Sequence, residues 1–472
     1  MELSLVISAY HLLIGGVTLL LVLGTWRRYW SPISHIPGHL AASFTRLWHM
    51  HRILKGDQNT ELIRLHEKHG HFVRISYDEV SVSHPDAIKK ALLAPLEKAP
   101  WYKALAIPDY RFQSAMSITE PKQKMERSKR LAPGYALSNV IKSETAIDET
   151  VSMFLDWLNV VGEVTFSRKF GFLEQGIDVG NSIKNSMSLN AYITVAAYLR
   201  WLHVALLANP LVTWLAILPM GHLFNTTRRA VDERQQSADA RWDILASWLQ
   251  QMRQYPDHMD MNIIHTQATS LVGAGSGTVS SALQSFVYHM IRHPTAWNRV
   301  RGEIDAASRA GRCQDRVISF KDAKELPFLQ ACIKEATRVF SPVPMGLPRL
   351  APKEGVTIGH ETFPSGTILS VNPWVIHHSR ELWGPDASQF NPDRWITGNV
   401  AEMERYWMPF GAGYNSCPGQ HVTKIEMSKV AATIVRDYDI CQARKDQTWK
   451  WKAYFTVVPH SWPCLIKRRD SY

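Results

Sequence analysis

Cysteine is scarce and poorly placed for cross-linking. The chain has five in 472 residues (Cys313, Cys332, Cys417, Cys441 and Cys464), an odd number with no C-x-x-C pair. That excludes a disulfide framework and a thiolate zinc site, and it favours a reducing compartment. No dense Lys/Arg run occurs either, although the formal net charge is +11. Charge spread this way gives no nucleic-acid arm. It suits the anionic face of a membrane, an acidic protein partner, or simply a soluble basic surface. No G-x-G-x-x-G with a downstream acid is present, so the chain carries no nicotinamide fingerprint of its own. The length allows one large domain or two to three smaller ones.

Side chains that carry charge near neutral pH are also missing from Leu3 to Thr25, His11 excepted. Some twenty such residues are enough to span a bilayer. The run opens Met1-Glu2, without the basic start or Ala-x-Ala-like site of a cleaved signal peptide. Arg27 and Arg28 follow at once, so the positive-inside rule puts the remaining chain in the cytosol. Pro32 and Pro37-Gly38 then break the helix. Further on, helical pattern covers Glu61–Gly70, Pro121–Tyr135, Met261 to about Arg292, Pro327 to before Pro342, and Gln420 to about Arg436. Strand-like alternation covers His71–Val82, Gly355–Val371 (a hairpin around Pro364-Ser365-Gly366) and Trp451–Val458. Tyr192–Leu223 is long and apolar, but Asn209, Pro210 and Pro219 cut it into pieces too short for a second span. Core packing is the bland role for any one of Trp201, Leu202, Leu215 and Ile217; contact with lipid or substrate is the sharper one.

Glycine is concentrated where it has most effect. In Phe410-Gly411-Ala412-Gly413-Tyr414-Asn415-Ser416-Cys417-Pro418-Gly419 a single cysteine sits between glycines, directly before a helix. The glycines let backbone approach a flat ligand, and the helix N-terminus is expected to lower the thiol pKa. A thiolate held there is a good axial ligand for haem iron. The bland alternative is a buried structural cysteine in a turn. In the long helix, Gly273, Gly275 and Gly277 cost roughly 1 kcal/mol each against alanine, so the cluster needs a reason, either close packing or function.

The cysteine loop resembles the F-x-x-G-x-x-x-C-x-G signature of cytochromes P450, matched at Phe410, Gly413, Cys417 and Gly419. Ala274-Gly275-Ser276-Gly277-Thr278 is similar to the family's oxygen-binding helix motif, with Gly277 standing where an acid is usual. Glu335 and Arg338, with Arg394 in Phe390-Asn391-Pro392-Asp393-Arg394-Trp395, resemble the family's Glu-Arg-Arg structural lock. These signals occur in the family's order along essentially the whole chain.

The resemblance implies a mainly α fold with small β-sheets, preceded by one N-terminal transmembrane helix. It divides the chain into an anchor (1–28), a proline-containing hinge (29–40) and a haem domain (41–472). It also implies haem b (iron protoporphyrin IX) on Cys417, with Thr278 steering protons. In the absence of an acid at Gly277, Ser276, water or a substrate hydroxyl would supply them. Arg349 matches a position that pairs a haem propionate. Ser128 and Asn415 replace residues that commonly do so, and Lys124 is placed to help. Between Trp157 and Phe170 the chain is shorter than its resemblance suggests, as if a helix and strand were lost.

The implied function is a monooxygenase putting one atom of O2 into a lipophilic small molecule, most like fungal enzymes of secondary metabolism. Its electrons would come from NADPH through a membrane-bound P450 reductase, and its expected location is the endoplasmic reticulum as a single-pass protein. Two other readings stay open. One is a P450-fold enzyme that rearranges or dehydrates an oxygenated substrate; the other is a degenerate, non-catalytic haem-binding membrane protein. Neither nucleic acid nor a particular substrate is indicated.

Overall fold

The N-terminal apolar run forms one helix, α1 (Glu2–Tyr29), in a computed structural model that describes residues 2–154, 182–215, 219–236, 242–444, 446–460 and 462–469. The Trp157–Phe170 stretch lies outside the described residues. Over Tyr10–Tyr29, α1 is long and apolar enough to cross a membrane, and none of that window is buried against the rest of the chain. Its last turn carries Arg27 and Arg28. The segment after it packs down rather than trailing away: Ser31, Ile33 and Ile36 are buried. Arg74, also buried, donates from Nη2 to the Arg27 carbonyl (2.7 Å) and to the Ser31 hydroxyl (2.9 Å). A guanidinium from the globular part therefore satisfies a carbonyl that the end of α1 would leave orphaned.

After α2 (Gln58–His69) come β1 (Phe72–Arg74) and β2 (Glu79–Val82), paired antiparallel as the alternation predicts. Helix α3 (Pro121–Tyr135) has proline in its first turn, and the Glu120 carboxylate accepts from the amides of Lys122 (2.8 Å) and Gln123 (2.5 Å). The apolar stretch beyond residue 190 is divided among α4 (Ser182–Ala196), α5 (Arg200–Leu206), α6 (Pro210–Leu215) and α7 (Pro219–Gln236). Two of these helices start on the prolines noted above. Helix α8 (Met261–Arg292) is α-helical throughout; Asp260 caps it by accepting from the Ile263 amide at 2.7 Å, and it ends just before Pro294. Helix α9 is Pro327–Val339.

Strands β3 (Leu347–Leu350), β4 (Val356–Ile358), β5 (Glu361–Phe363) and β6 (Ile368–Val371) follow. One four-stranded sheet has the order β1-β2-β6-β3, parallel between β2 and β6 and antiparallel elsewhere. The hairpin expected around Pro364-Ser365-Gly366 is displaced. The tight turn is at Gly359-His360, joining β4 to β5, with Gly359 at φ +57°; Pro364-Ser365-Gly366 instead leads from β5 into the large sheet. Helix α10 (Gln420–Asp437), the β7 (Tyr438–Gln442)–β10 (Cys464–Arg468) pair and the β8 (Lys450–Ala453)–β9 (Val457–His460) pair complete the described chain. The largest core joins α8, α9 and α10 through residues such as Ile264, Phe286, Leu329, Ala336, Ile425 and Val430. The molecule is mainly helical with small sheets.

Candidate active site

The Cys417 loop turns twice through left-handed backbone, at Gly411 and Gly413 (φ +67° each). A Cβ on Gly413 would also run into the Leu92 carbonyl, so glycine is required there on two counts. At Gly419 a Cβ would meet Cys417 Sγ at an ordinary 3.8 Å. The loop closes on itself where the Cys417 amide donates to the Phe410 carbonyl at 2.8 Å. The expected low thiol pKa is not what the surroundings give. Burial pushes the Cys417 thiol up, and the backbone amides of Gly419 and Gln420 only partly offset it. Desolvation outweighs the helix end here, so a cation facing Sγ would be needed to hold a thiolate.

Three cations lie buried on the neighbouring side. Lys98, Lys124 and Arg349 are 2%, 8% and 1% exposed. Lys98 and Arg349 form a β-bridge, and Arg349 Nη1 donates to the Tyr102 hydroxyl at 3.4 Å. Lys124 Nζ donates to Ser128 Oγ (2.5 Å) and to the Tyr414 carbonyl (3.2 Å), tying α3 to the cysteine loop. Lys98 Nζ donates to the carbonyls of Ala115 (3.4 Å) and Met116 (2.5 Å). Burial, and then Lys124 and Arg349, pull the Lys98 pKa down to about 6; burial and Arg349 pull Lys124 to about 8. No carboxylate among the described residues pairs with any of the three, and Arg349 Nε is buried without a hydrogen-bond partner.

Isolated buried charge is expensive, and it persists where something neutralises it. Among the described residues, a dianionic group held beside the loop is the complement this cluster lacks. Arg349 and Lys124 were marked in the sequence. Lys98 and Tyr102 were not, because only the bridge to Arg349 brings that segment to the site.

Glu335, Arg338 and Arg394 come together out of solvent. Arg338 Nε and Nη2 grip the Glu335 carboxylate at 2.9 and 2.8 Å, and Arg394 Nε reaches it at 3.0 Å. Two further contributors have roles that the sequence does not mark. Trp395 Nε1 donates to Glu335 Oε2 at 2.9 Å, and His377 Nε2 accepts the Met408 amide at 3.0 Å, just ahead of the cysteine loop. Burial, then Arg338, holds His377 far below the usual imidazole pKa, so it is the neutral acceptor that this bond requires.

On α8 the buried residues lie on either side of the middle, Thr266–Thr269 and Ser281–Leu283 among them, whereas Gly273, Ser276 and Gly277 are exposed between them. Thr278 Oγ1 bonds back to the carbonyls of Ala274 (3.0 Å) and Gly275 (3.3 Å), and Ser276 Oγ to that of Val272 (3.4 Å). Nothing lies within 4 Å of a Cβ built on Gly277, so space does not forbid an acid at this position.

The profile of the Cytochrome P450 family matches residues 135–458. The chain belongs to the cytochrome P450 family. It is 29% identical to cytochrome P450 monooxygenase cicH of Emericella nidulans, over 93% of this chain and 94% of that one. Against cytochrome P450 monooxygenase hepC of Aspergillus oryzae it is 30% identical over 92% of each. A pisatin demethylase of Fusarium vanettenii is 27% identical over 93% of this chain and 90% of its own. A crystal structure of a cytochrome P450 superposes with TM-score 0.71 at 21% identity, covering 87% of this chain and 94% of that one. This P450 is accordingly a monooxygenase of the haem-thiolate class.

Proposed function

We propose that this P450 holds haem b with Cys417 as its axial ligand and oxygenates a lipophilic small molecule, an intermediate of fungal secondary metabolism. The observation that carries the reading is the trio of buried cations without an acid partner among the described residues, beside a cysteine loop shaped by left-handed glycines. When bound, the haem supplies O2 activation. The chain's residues do the rest. Cys417 donates electron density from Sγ, and Arg349 and Lys124 fix the orientation of the cofactor. Thr278 and Ser276 offer hydroxyls along the open middle of α8 for relaying protons from water.

Electrons come from NADPH through a P450 reductase of the same membrane, which matches the absence of a nicotinamide fingerprint. We place the protein in the endoplasmic reticulum, with residues 1–28 as anchor, 29–40 as the linking segment and the haem domain, 41–472, cytosolic. Trp201 (73% exposed) and Trp214 (79%), with Leu206 and Leu211, give α5 and α6 an apolar outer face that supports contact with lipid. The name of the pisatin demethylase relative supports an organic small molecule as substrate.

The test is turnover in microsomes with a reductase and a panel of candidate intermediates under isotope-labelled O2. One labelled atom should enter the product. Thr278→Ala should uncouple NADPH use from product, and Cys417→Ala should abolish the red-shifted Soret band of the reduced CO complex. Unlabelled product formed without NADPH would favour the rearranging enzyme, and the spectrum without any turnover would favour the non-catalytic one.

A further inference from the structure

Arg27 stands where α1 leaves its apolar run, a place from which an arginine ordinarily reaches for water or lipid headgroups. Here it turns back onto the protein and is half-buried. Its Nη1 donates to the Phe44 carbonyl at 3.1 Å, and its Cζ lies 3.9 Å from the centroid of the Tyr77 ring. Tyr77 sits in the turn between β1 and β2, and a second guanidinium, that of Arg46, comes within 5.5 Å of the same ring. Arg46 is fixed in place, with Nε donating to Ser76 Oγ at 3.2 Å and Nη2 paired with Asp78. Its Cζ is also 5.0 Å from the Tyr198 ring. Tyr198 belongs to the single turn Ala197–Leu199 between α4 and α5. From there the rings continue inward, Tyr198 to Trp101 (6.4 Å) and Trp101 to Tyr102 (5.3 Å), and Tyr102 is the ring against which Arg349 lies.

A cation within about 6 Å of an aromatic centroid is attracted to it, more strongly where water is kept away. Each contact alone is modest. Together they join the end of the apolar helix to a segment that has little else to hold it. In α5 only His203 is buried, while Leu199, Trp201 and Leu206 are exposed. A segment with so few buried groups opens readily, so a contact at its near end weighs heavily in its equilibrium.

Resting on the reading of residues 1–28 as the membrane anchor, we infer that α1 also positions the segment Tyr198–Leu206, through the ladder Arg27–Tyr77–Arg46–Tyr198. The Arg46–Tyr198 rung parts when the segment lifts. The Arg27–Tyr77 rung keeps Tyr77, and with it Arg46, in place. A helix fixed in the bilayer thereby steadies the chain beside the Trp101–Tyr102 ring pair. The four are positioning residues, not catalytic ones.

The test follows amide hydrogen exchange of the full-length protein in phosphatidylcholine nanodiscs, for wild type, Arg27→Met, Arg27→Lys, Tyr77→Leu and Tyr77→Phe. Arg27 is separated from Tyr198 by two rungs, so its loss reaches α5 only through the ladder. Arg27→Met and Tyr77→Leu should speed exchange across 198–206 about twofold to thirtyfold, the range for one cation–ring contact. Tyr77→Phe keeps the ring and Arg27→Lys keeps the charge, so both should exchange close to wild type. Helix α9 should exchange alike in all five proteins. Arg27→Met, at the half-buried end of α1, serves if Tyr77→Leu does not fold.

Loosening confined to the β1–β2 turn, with 198–206 unchanged, would overturn the inference. Tyr77→Phe acting like Tyr77→Leu would do the same, since the hydroxyl and not the ring would then carry the contact. Equal acceleration in α9 would reduce the ladder to a general stability contact and also overturn it. A wild type that does not enter nanodiscs would defeat the anchor reading itself, and the inference with it. The readout needs no turnover, so a missing thiolate-haem spectrum would sink the haem reading and leave this comparison standing.

Discussion

Glu335 accepts five hydrogen bonds from four residues while wholly out of water, from Arg338 (two), Asn391, Arg394 and Trp395. Removing one partner of a buried ion pair leaves the other charges uncompensated, at a cost of about 3–5 kcal/mol. Glu335→Gln keeps the volume and loses the charge, so thermal unfolding should shift to clearly lower temperature and haem content should fall. An unchanged melting curve would show the lock to be energetically idle. In the sequence, Glu335 and Arg338 look like any surface pair at i, i+3; only the later Arg394 motif gave them meaning. Trp395 was legible as part of that motif but not as a donor. Lys98 was illegible, because one lysine in an exposed-looking segment carries no mark of burial. The thiol pKa of Cys417 went the other way from expectation for a related reason: the helix end is local and visible, and desolvation is tertiary and is not.

At the scale of elements, helices were the most readable. Asp260 and Pro294 bracket α8, and Glu120 with Pro121 opens α3, so side-chain caps and proline set the ends locally. Short strands were less so. β4 and β5 have three residues each, and two glycines with positive φ, Gly359 and Gly366, offer competing turns between Val356 and Val371. Pairing with β2 and β3 across the sheet decides between them, which no local pattern encodes. The junction after α1 yields a prediction of its own. Cutting before Gly24 should release much of the protein from membranes and leave its melting temperature unchanged, because the Arg27 carbonyl stays to receive Arg74. Cutting after Arg28 removes that acceptor and leaves Arg74 Nη2 only Ser31 Oγ (2.9 Å) and the Tyr77 carbonyl (3.1 Å), so the melting temperature should fall by the worth of one hydrogen bond, about 1 kcal/mol of stability. Equal melting of the two truncations would show that Arg74 finds another partner. Full membrane retention of both after a salt wash would assign the main attachment to α5 and α6.

Across the whole molecule, burial has stored protons in an unusual balance. Burial holds His49 at about 3, His66 at about 4, His289 at about 3 and His378 at about 4, with His377 also far below its usual range. A histidine whose folded pKa is depressed contributes stability above its unfolded pKa of about 6.5 and loses it as pH falls toward the folded value. Burial also raises Glu79 to about 7 and Glu426 to about 8. These carboxyls act with the opposite sign, since the folded state keeps protons that the unfolded chain releases above about 4.5. Between about pH 6.5 and 4.5 these five histidines bind protons on unfolding and the two carboxyls release them, so the histidines prevail and stability should fall on acidification. Melting temperatures of the haem-loaded protein measured from pH 7 to pH 4.5 should drop steeply below 6.5. His378→Gln, which removes one proton-binding site from the unfolded chain, should make that drop shallower by about one proton's share. A flat profile through this window would mean that these imidazoles reach water in the folded state.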